Sequence, residues 1–338
     1  MIVLGIETSC DDTAAAVLDA GRELASVVAS QDDVHAPYGG VVPELAARNH
    51  IAHVVPVIER ALAQAGMRLD DVEGVAATRG PGLVGSLLVG LSTGKAIARR
   101  RKLPFVGVHH IEGHLLSIEL DAPVERPFLG LVVSGGHSAL YWAREDGSYA
   151  VLGETRDDAA GEAFDKAAKL LGLGYPGGRA IERLAREGDP DAVPLPRPRV
   201  RGAALDLSFS GLKTALWQKL EREDAPPAAD LAASFQRAIV DLLADVTRRA
   251  IRGTGTTRLV VTGGVSANGA LRDRMAEVAA DEGAALLVPP LKRCTDNAAM
   301  IAYAGWRRLA RGERDPWTLN AEPDLPLGPR IAIETVGG

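Results

Sequence analysis

Cysteine is nearly absent: the 338-residue chain holds two, Cys10 and Cys294. They lie far apart and form no CxxC pair, so no disulfide framework is expected and a reducing compartment is the default. No apolar run approaches the ~18 residues that cross a bilayer. The N-terminus meets an acid, Glu7, within seven residues, and it lacks the basic head and long apolar run of a signal peptide. A soluble, cytoplasmic protein without a membrane partner is the expectation. A surplus of positive charge is also missing, since the formal net charge is -6. That excludes a strongly basic nucleic-acid-binding protein, though not a local basic stripe. No GxGxxG follows the first strand, and no GxxxxGK[ST] phosphate loop occurs. Trp142, Trp217, Trp306 and Trp317 are dispersed and read as core or interface residues, not as a stacking platform.

The length suffices for two domains, and 46% hydrophobic with 24% charged residues suits a folded chain. Strands are expected at 2–7, 13–18 and 23–29, joined by polar turns into a meander. A helix over 43–65, with an early proline and a closing Gly66, leads to a strand at 72–78. A tight loop at 79–82, a small-residue helix over 84–101 and a strand at 105–108 complete an α/β pattern with a mixed sheet. An acidic, proline-bearing break covers 119–127. Beyond it, strand 128–133, turn 134–137 and strand 138–143 repeat the opening hairpin, which suggests a duplicated domain. Helices follow at 157–171 and 179–186 around a glycine-rich loop, then a polar Pro/Arg-rich surface loop at 188–202. Further helices are expected from 210 and at 229–251. The chain closes with strand 258–261, a glycine-rich turn at 262–268 into a helix, strand 285–288, a helix at 296–311 and a Pro-rich tail.

Directly after strand 105–108 stand His110 and His114, four positions apart. On a helix they share one face and can hold one transition-metal ion. The same spacing also fits two ordinary histidines, one capping an element and one packed in a core. A zinc-protease helix is rejected, because Ile111 takes the place of its glutamate and Glu112 would point away from His110. Asp296 reads either as a helix N-cap or as a carboxylate completing a two-His, one-carboxylate facial set. Cys294 is treated as buried or incidental. The turn 262–268 ends a strand in glycines and opens a helix near Ser266 or Asn268, where free N–H groups can receive an anion. A plain strand-to-helix turn with a serine cap would read the same way. Turns 8–12 and 134–137 offer similar donors. Asp165 could accept ligand hydroxyls or pair with Lys166 or Lys169. Lys213 and the arginines of 186–201 could form an RNA-facing edge or a solvated face.

Six motifs stand in order along the chain: GIETSCDDT (5–13), HHIEGH (109–114), VSGGH (133–137), DDAAGEAFDK (157–166), GGVSAN (263–268) and TDN (295–297). Together they resemble the bacterial tRNA threonylcarbamoyladenosine transferase (TsaD) family over essentially the full chain. The resemblance implies an α/β, two-lobed fold of the actin, Hsp70 and sugar-kinase type with duplicated mixed-sheet domains. On that expectation residues 1–127 form the N-terminal lobe with 296–338 packing back on it, and 128–295 form the C-terminal lobe. It implies transfer of a threonylcarbamoyl group from L-threonylcarbamoyl-adenylate to N6 of the adenosine beside the anticodon of tRNAs reading codons that begin with A. It implies one divalent ion per subunit, Fe2+ or Zn2+, on His110, His114 and Asp296. It implies substrate contacts from Val133, Ser134, Gly135, Gly136, His137, Asp165, Gly178, Glu182 and Asn268, and a role in activity for Asp11. A TsaB-like paralogous partner and a TsaE-like ATPase are the implied helpers. An ATP-dependent small-molecule kinase or a chaperone-like ATP-binding module of the same superfamily is the alternative. The kinase does not explain the histidine pair, and the chaperone-like module would need a substrate-binding domain for which this chain has no obvious length.

Overall fold

The computed structural model describes residues 1–333. The chain divides into two units, Met1–Val124 with Thr295–Leu327, and Glu125–Cys294 with residues 328–333.

The first unit opens with the antiparallel strands β1 (Ile2–Glu7), β2 (Thr13–Asp19) and β3 (Arg22–Ala29). β1 is apolar up to its last residue and buried on both faces, as a central strand must be. Helices α1 (Asp32–His35) and α2 (Pro43–Gln64) follow, the second opened by a proline whose missing N–H costs nothing in a first turn. Then come β4 (Gly74–Gly80), α3 (Val84–Arg101), β5 (Phe105–His109) and α4 (His110–Leu116). The sheet order is β3-β2-β1-β4-β5, with β1, β4 and β5 parallel. Their carboxyl ends therefore fall on one edge. Pairing of Ile6 with Ala77 and of Thr78 with Val108 brings Glu7, Thr78 and the start of α4 together there. Under one face Leu4, Ile6, Val17, Val75 and Phe105 pack against Val54, Ile58 and Leu62 of α2 and Leu91 of α3.

The second unit repeats the plan. Strands β6 (Phe128–Val133), β7 (Ser138–Ala143) and β8 (Tyr149–Glu154) form the meander. Helices α5 (Ala160–Leu170), α6 (Gly177–Ala185), α7 (Ser210–Leu220) and α8 (Ala228–Thr254) come next. Strand β9 (Arg258–Thr262), helix α9 (Gly269–Asp281), strand β10 (Ala285–Leu287) and the short helix α10 (Leu291–Cys294) close it. The order β10-β9-β6-β7-β8, with β6, β9 and β10 parallel, matches the first sheet strand for strand. The duplication expected from the two hairpins is thus present, as a mixed-sheet α/β fold in both halves. Its cores are separate, and the second is built on Phe164, Phe209, Phe235, Leu243 and Leu259.

The last helix, α11 (Ala298–Ala310), belongs to the first unit and covers the second face of its sheet through Met300, Ile301 and Ala304. Gly5 in β1 makes this possible. A Cβ there would lie 2.6 Å from the Ala298 carbonyl oxygen and from Ala302 Cβ, so only glycine lets the helix approach. Three expectations change. The tail does not stay with the first unit: from Gly328 it lies along β8, with Val151 N donating to Pro329 O and Ile331 N to Val151 O, both at 3.0 Å. The reason is the open hydrogen-bonding edge of β8, which the extended tail fills. Residues 334–338 of that segment lie outside the described residues. Strand β8 itself was not expected, and α5 begins at Ala160 because Asp157 is held outside the helix, accepting from Phe209 N and the Ser208 and Ser210 hydroxyls. Among the described residues no helix is long and apolar enough to cross a membrane.

Candidate metal centre and glycine turns

β5 runs straight into α4, and His109 supplies the cap: its Nδ1 accepts from Ile111 N, and its Nε2 donates to Leu325 O at 3.0 Å. The capping histidine of this segment is thus His109. His110 and His114 project from successive turns of α4, with ring centroids 4.7 Å apart and planes nearly perpendicular. Both are buried. Asp296, just ahead of α11, brings Oδ1 to 3.0 Å from His114 Nε2 and 3.6 Å from His110 Nε2. Asp296 is not the cap of α11. Asn297 is, its side chain accepting from Met300 N at 3.0 Å, and this leaves the Asp296 carboxylate directed at the histidines.

One ligand atom from each of His110, His114 and Asp296 lies within 4.8 Å of the others. Two imidazole nitrogens and a carboxylate oxygen at this spacing fit one divalent ion. The surroundings fit it too. Glu7, wholly buried, meets His110 Nδ1 at 2.9 Å, which fixes the ring and directs Nε2 toward Asp296. Burial opposes a charge on His110, yet Glu7 and Asp296 outweigh it and hold the metal-free imidazole up at about 9. Burial, then repulsion from Asp296, raises the Asp12 carboxyl to about 8. Burial also pushes up Asp11 and Cys10. Acids crowded closely enough to raise one another's pKa are relieved when a dication binds among them. The first unit therefore carries a single divalent-metal site. Asp11 stands in the turn after β1, on the same sheet edge.

In the second unit the turn after β6 is closed by Ser134 N donating to His137 O at 2.7 Å and His137 N to Ser134 Oγ at 3.1 Å. Gly135 and Gly136 form its open tip, where an added Cβ would meet nothing within 4 Å. Gly263, at φ +93°, packs its α-carbon against the Val133 carbonyl, so the turns after β6 and β9 lie side by side. The remaining expected residues form a second group. Asp165 Oδ1 accepts from Gly177 N at 2.7 Å, while Lys166 pairs with Asp158 and Glu162 instead. Gly178 has open space beside it. Glu182 Oε1 accepts from Gly269 N at 3.1 Å. Asn268 Oδ1 caps α9 through Leu271 N at 3.0 Å, and its amide donates to Gln236 Oε1 at 2.7 Å. The amino end of α9, expected to offer free N–H groups, is thus largely filled by Glu182 and Asn268. Ser266 is not the cap. Cys294 is buried, with Arg272 Nη2 at 3.2 Å from its sulfur.

The sequence profile of the family TsaD, tRNA N6-adenosine threonylcarbamoyltransferase, matches residues 22–303. The chain is 55% identical over 327 residues to the tRNA N6-adenosine threonylcarbamoyltransferase of Anaeromyxobacter dehalogenans, covering 95% of this chain and 98% of that one. It belongs to this family. A relative of the same name from Syntrophus aciditrophicus is 54% identical over 97% of this chain and 98% of its own. Among solved structures, HypF from T. kodakarensis aligns with a TM-score of 0.63 at 15% identity, over 92% of this chain and 48% of that one. Component A of (R)-2-hydroxyglutaryl-CoA dehydratase from Acidaminococcus fermentans aligns at 0.56 and 16% identity, over 92% and 99%. Those likenesses show the shared two-lobed fold. Within this family member, sequence reasoning passed over Glu7, Thr78, Ser9 and Gln236. Glu7 had a signal: an acid ending a strand that is otherwise apolar. Gln236 had none, lying mid-helix in α8.

Proposed function

We propose that this metal-dependent transferase moves the threonylcarbamoyl group of L-threonylcarbamoyl-adenylate onto N6 of the adenosine 3′-adjacent to the anticodon, in tRNAs reading codons that begin with A. The amine attacks the carbamoyl carbon, a C–N bond forms, the mixed-anhydride C–O bond breaks, AMP leaves and N6 gives up a proton. The convergence of His110, His114 and Asp296 in a member of this family carries the reading. His110, His114 and Asp296 would hold a divalent ion, Fe2+ by this reading with Zn2+ as the alternative, and its positive charge would polarise the carbonyl of the transferred group.

The chain's own residues do the rest. Gly135 and Gly136, at the open tip between Ser134 and His137, take the phosphate through backbone amides, with Val133 anchoring the turn. Asp165, Glu182 and Asn268 orient the sugar and base by accepting or donating hydrogen bonds, and Gly178 leaves room for them. Asp11 is the activity residue of the first unit; burial holds its carboxyl above the usual range, so it takes up a proton more readily than an exposed aspartate. An exocyclic adenine amine is a weak nucleophile, so positioning and charge stabilisation carry the rate. The adenosine must leave its stack to react. The expected setting is the cytoplasm, with a TsaB-like partner and a TsaE-like ATPase. Ile51 and Val55 of α2, with Val84 and Leu88 of α3, are exposed apolar side chains that support such a partner surface.

The test incubates purified protein with the adenylate and unmodified tRNA, with and without the helper proteins, and measures modified nucleoside by mass spectrometry. Transfer by the parent and its loss in His110→Ala are expected. Unchanged transfer in that variant removes the metal from the mechanism, and no transfer by the parent with helpers removes the reading.

A further inference from the structure

We infer that Glu7 is the positioning residue of the metal centre: its carboxylate keeps the His110 proton on Nδ1 and so leaves Nε2 bare toward Asp296. The inference rests on the metal-centre reading above. Glu7 is wholly buried and receives three donors from three parts of the fold. Ser9 N donates to Oε1, Thr78 Oγ1 donates to Oε2 at 2.8 Å, and His110 Nδ1 lies 2.9 Å from the same Oε2. An ionised carboxylate only accepts, so the proton between Oε2 and Nδ1 lies on the nitrogen.

A competing arrangement is built into the site. Ser9 Oγ lies 3.1 Å from the same Nδ1, and a hydroxyl can donate to a bare ring nitrogen. That pairing would place the ring proton on Nε2, the tautomer that cannot ligate. The charge of Glu7 decides between the two. His114 has no matching device, since its Nδ1 is buried without a hydrogen-bond partner among the described residues. Orientation of the pair therefore depends on the β1–β4 edge where Glu7 and Thr78 meet.

Glu7→Gln is nearly isosteric but carries one acceptor oxygen. Ser9 N requires that oxygen, which turns the amide NH2 toward Thr78 and His110. Thr78 can rotate its hydroxyl to accept, and His110 can avoid a donor–donor clash only by moving its proton to Nε2. The experiment titrates the metal-free full-length protein with Zn2+ and Co2+ against a chromophoric chelator, and records thermal melts and, under alkaline conditions in which the His110 ring is neutral, histidine 15N spectra. Glu7→Gln is expected to fold, to bind both ions about tenfold to a hundredfold more weakly, and to show His110 protonated on Nε2. Parent affinity with an unmoved His110 tautomer overturns the inference. If Glu7→Gln does not fold, Glu7→Asp replaces it. Its carboxylate is withdrawn by one methylene, and weakened binding supports the inference while parent affinity overturns it. Failure of the metal reading looks different: the parent takes up no ion, or His114→Ala binds as the parent does.

Discussion

The carboxylate of Glu182 accepts the backbone N–H of Gly269 at 3.1 Å, so α6 closes the amino end of α9 with a negative charge. A helix terminus suited to an anion is thereby occupied from within the chain. The open tip at Gly135 and Gly136 has no such internal occupant beside its α-carbons, and under the proposed function it is the tip that takes the phosphate while Glu182 holds α9.

Removing that carboxylate should register in both stability and binding. Glu182→Ala is expected to cost about 1 kcal/mol, the usual cost of losing an acceptor at a helix start. It should also raise KM for the adenylate. Glu182→Gln keeps the acceptor and should recover most of the stability. Denaturant melts with adenylate titrations check this, and an unaltered melt for the alanine variant would show that the contact does not hold α9. The Arg186 partner of Glu182 is exposed and contributes little.

Gly5 is the point where β1 admits α11. Gly5→Ala places a methyl 2.6 Å from the Ala298 carbonyl oxygen and Ala302 Cβ. Overpacking of this kind costs roughly 1–3 kcal/mol. Because Asp296 immediately precedes α11, metal affinity should fall together with the melting temperature. A Zn2+ titration that matches the parent in a destabilised Gly5→Ala would separate the two and show that α11 keeps its start in place by other contacts.

His50 gives a pH dependence whose sign is determined. Its Nε2 donates to the Cys10 carbonyl at 3.0 Å, and its Nδ1 accepts from the Thr13 hydroxyl at 2.8 Å. Burial first, only partly offset by the Cys10 carbonyl, holds its pKa below the ordinary histidine value. In the unfolded chain the ring protonates first as pH falls. The stability it contributes is therefore full above about 6.5 and is lost as pH drops through the window below that value. Urea midpoints between pH 8 and pH 5 should fall more steeply for the parent than for His50→Gln, which does not titrate. Parallel lines would show that the ring is not held neutral.

Much of the architecture was legible in the chain because it is local. Alternating and continuous apolar runs separate strands from helices, and turns such as Asp19 to Arg22 mark the hairpins. Among the described residues the one missed strand is β8, which follows a polar turn. The misplaced tail has no periodicity; only the free edge of β8 gives it a place to lie. The helix start near Asp296 was read to within two residues. Whether Asp296 or Asn297 caps it depends on which side chain the fold turns inward, and that is invisible in a list of residues.

The sequence by itself determined the four-residue spacing of His110 and His114, the two hairpin openings and the glycine turns, because covalent spacing and side-chain period act over a few residues. Only the tertiary structure decided that Asp296, 182 positions beyond His114, joins the pair, and that Glu7, 103 positions before His110, sets its ring. Parallel strands align their carboxyl ends whatever the chain length between them, and burial then makes each of those polar groups find a partner there.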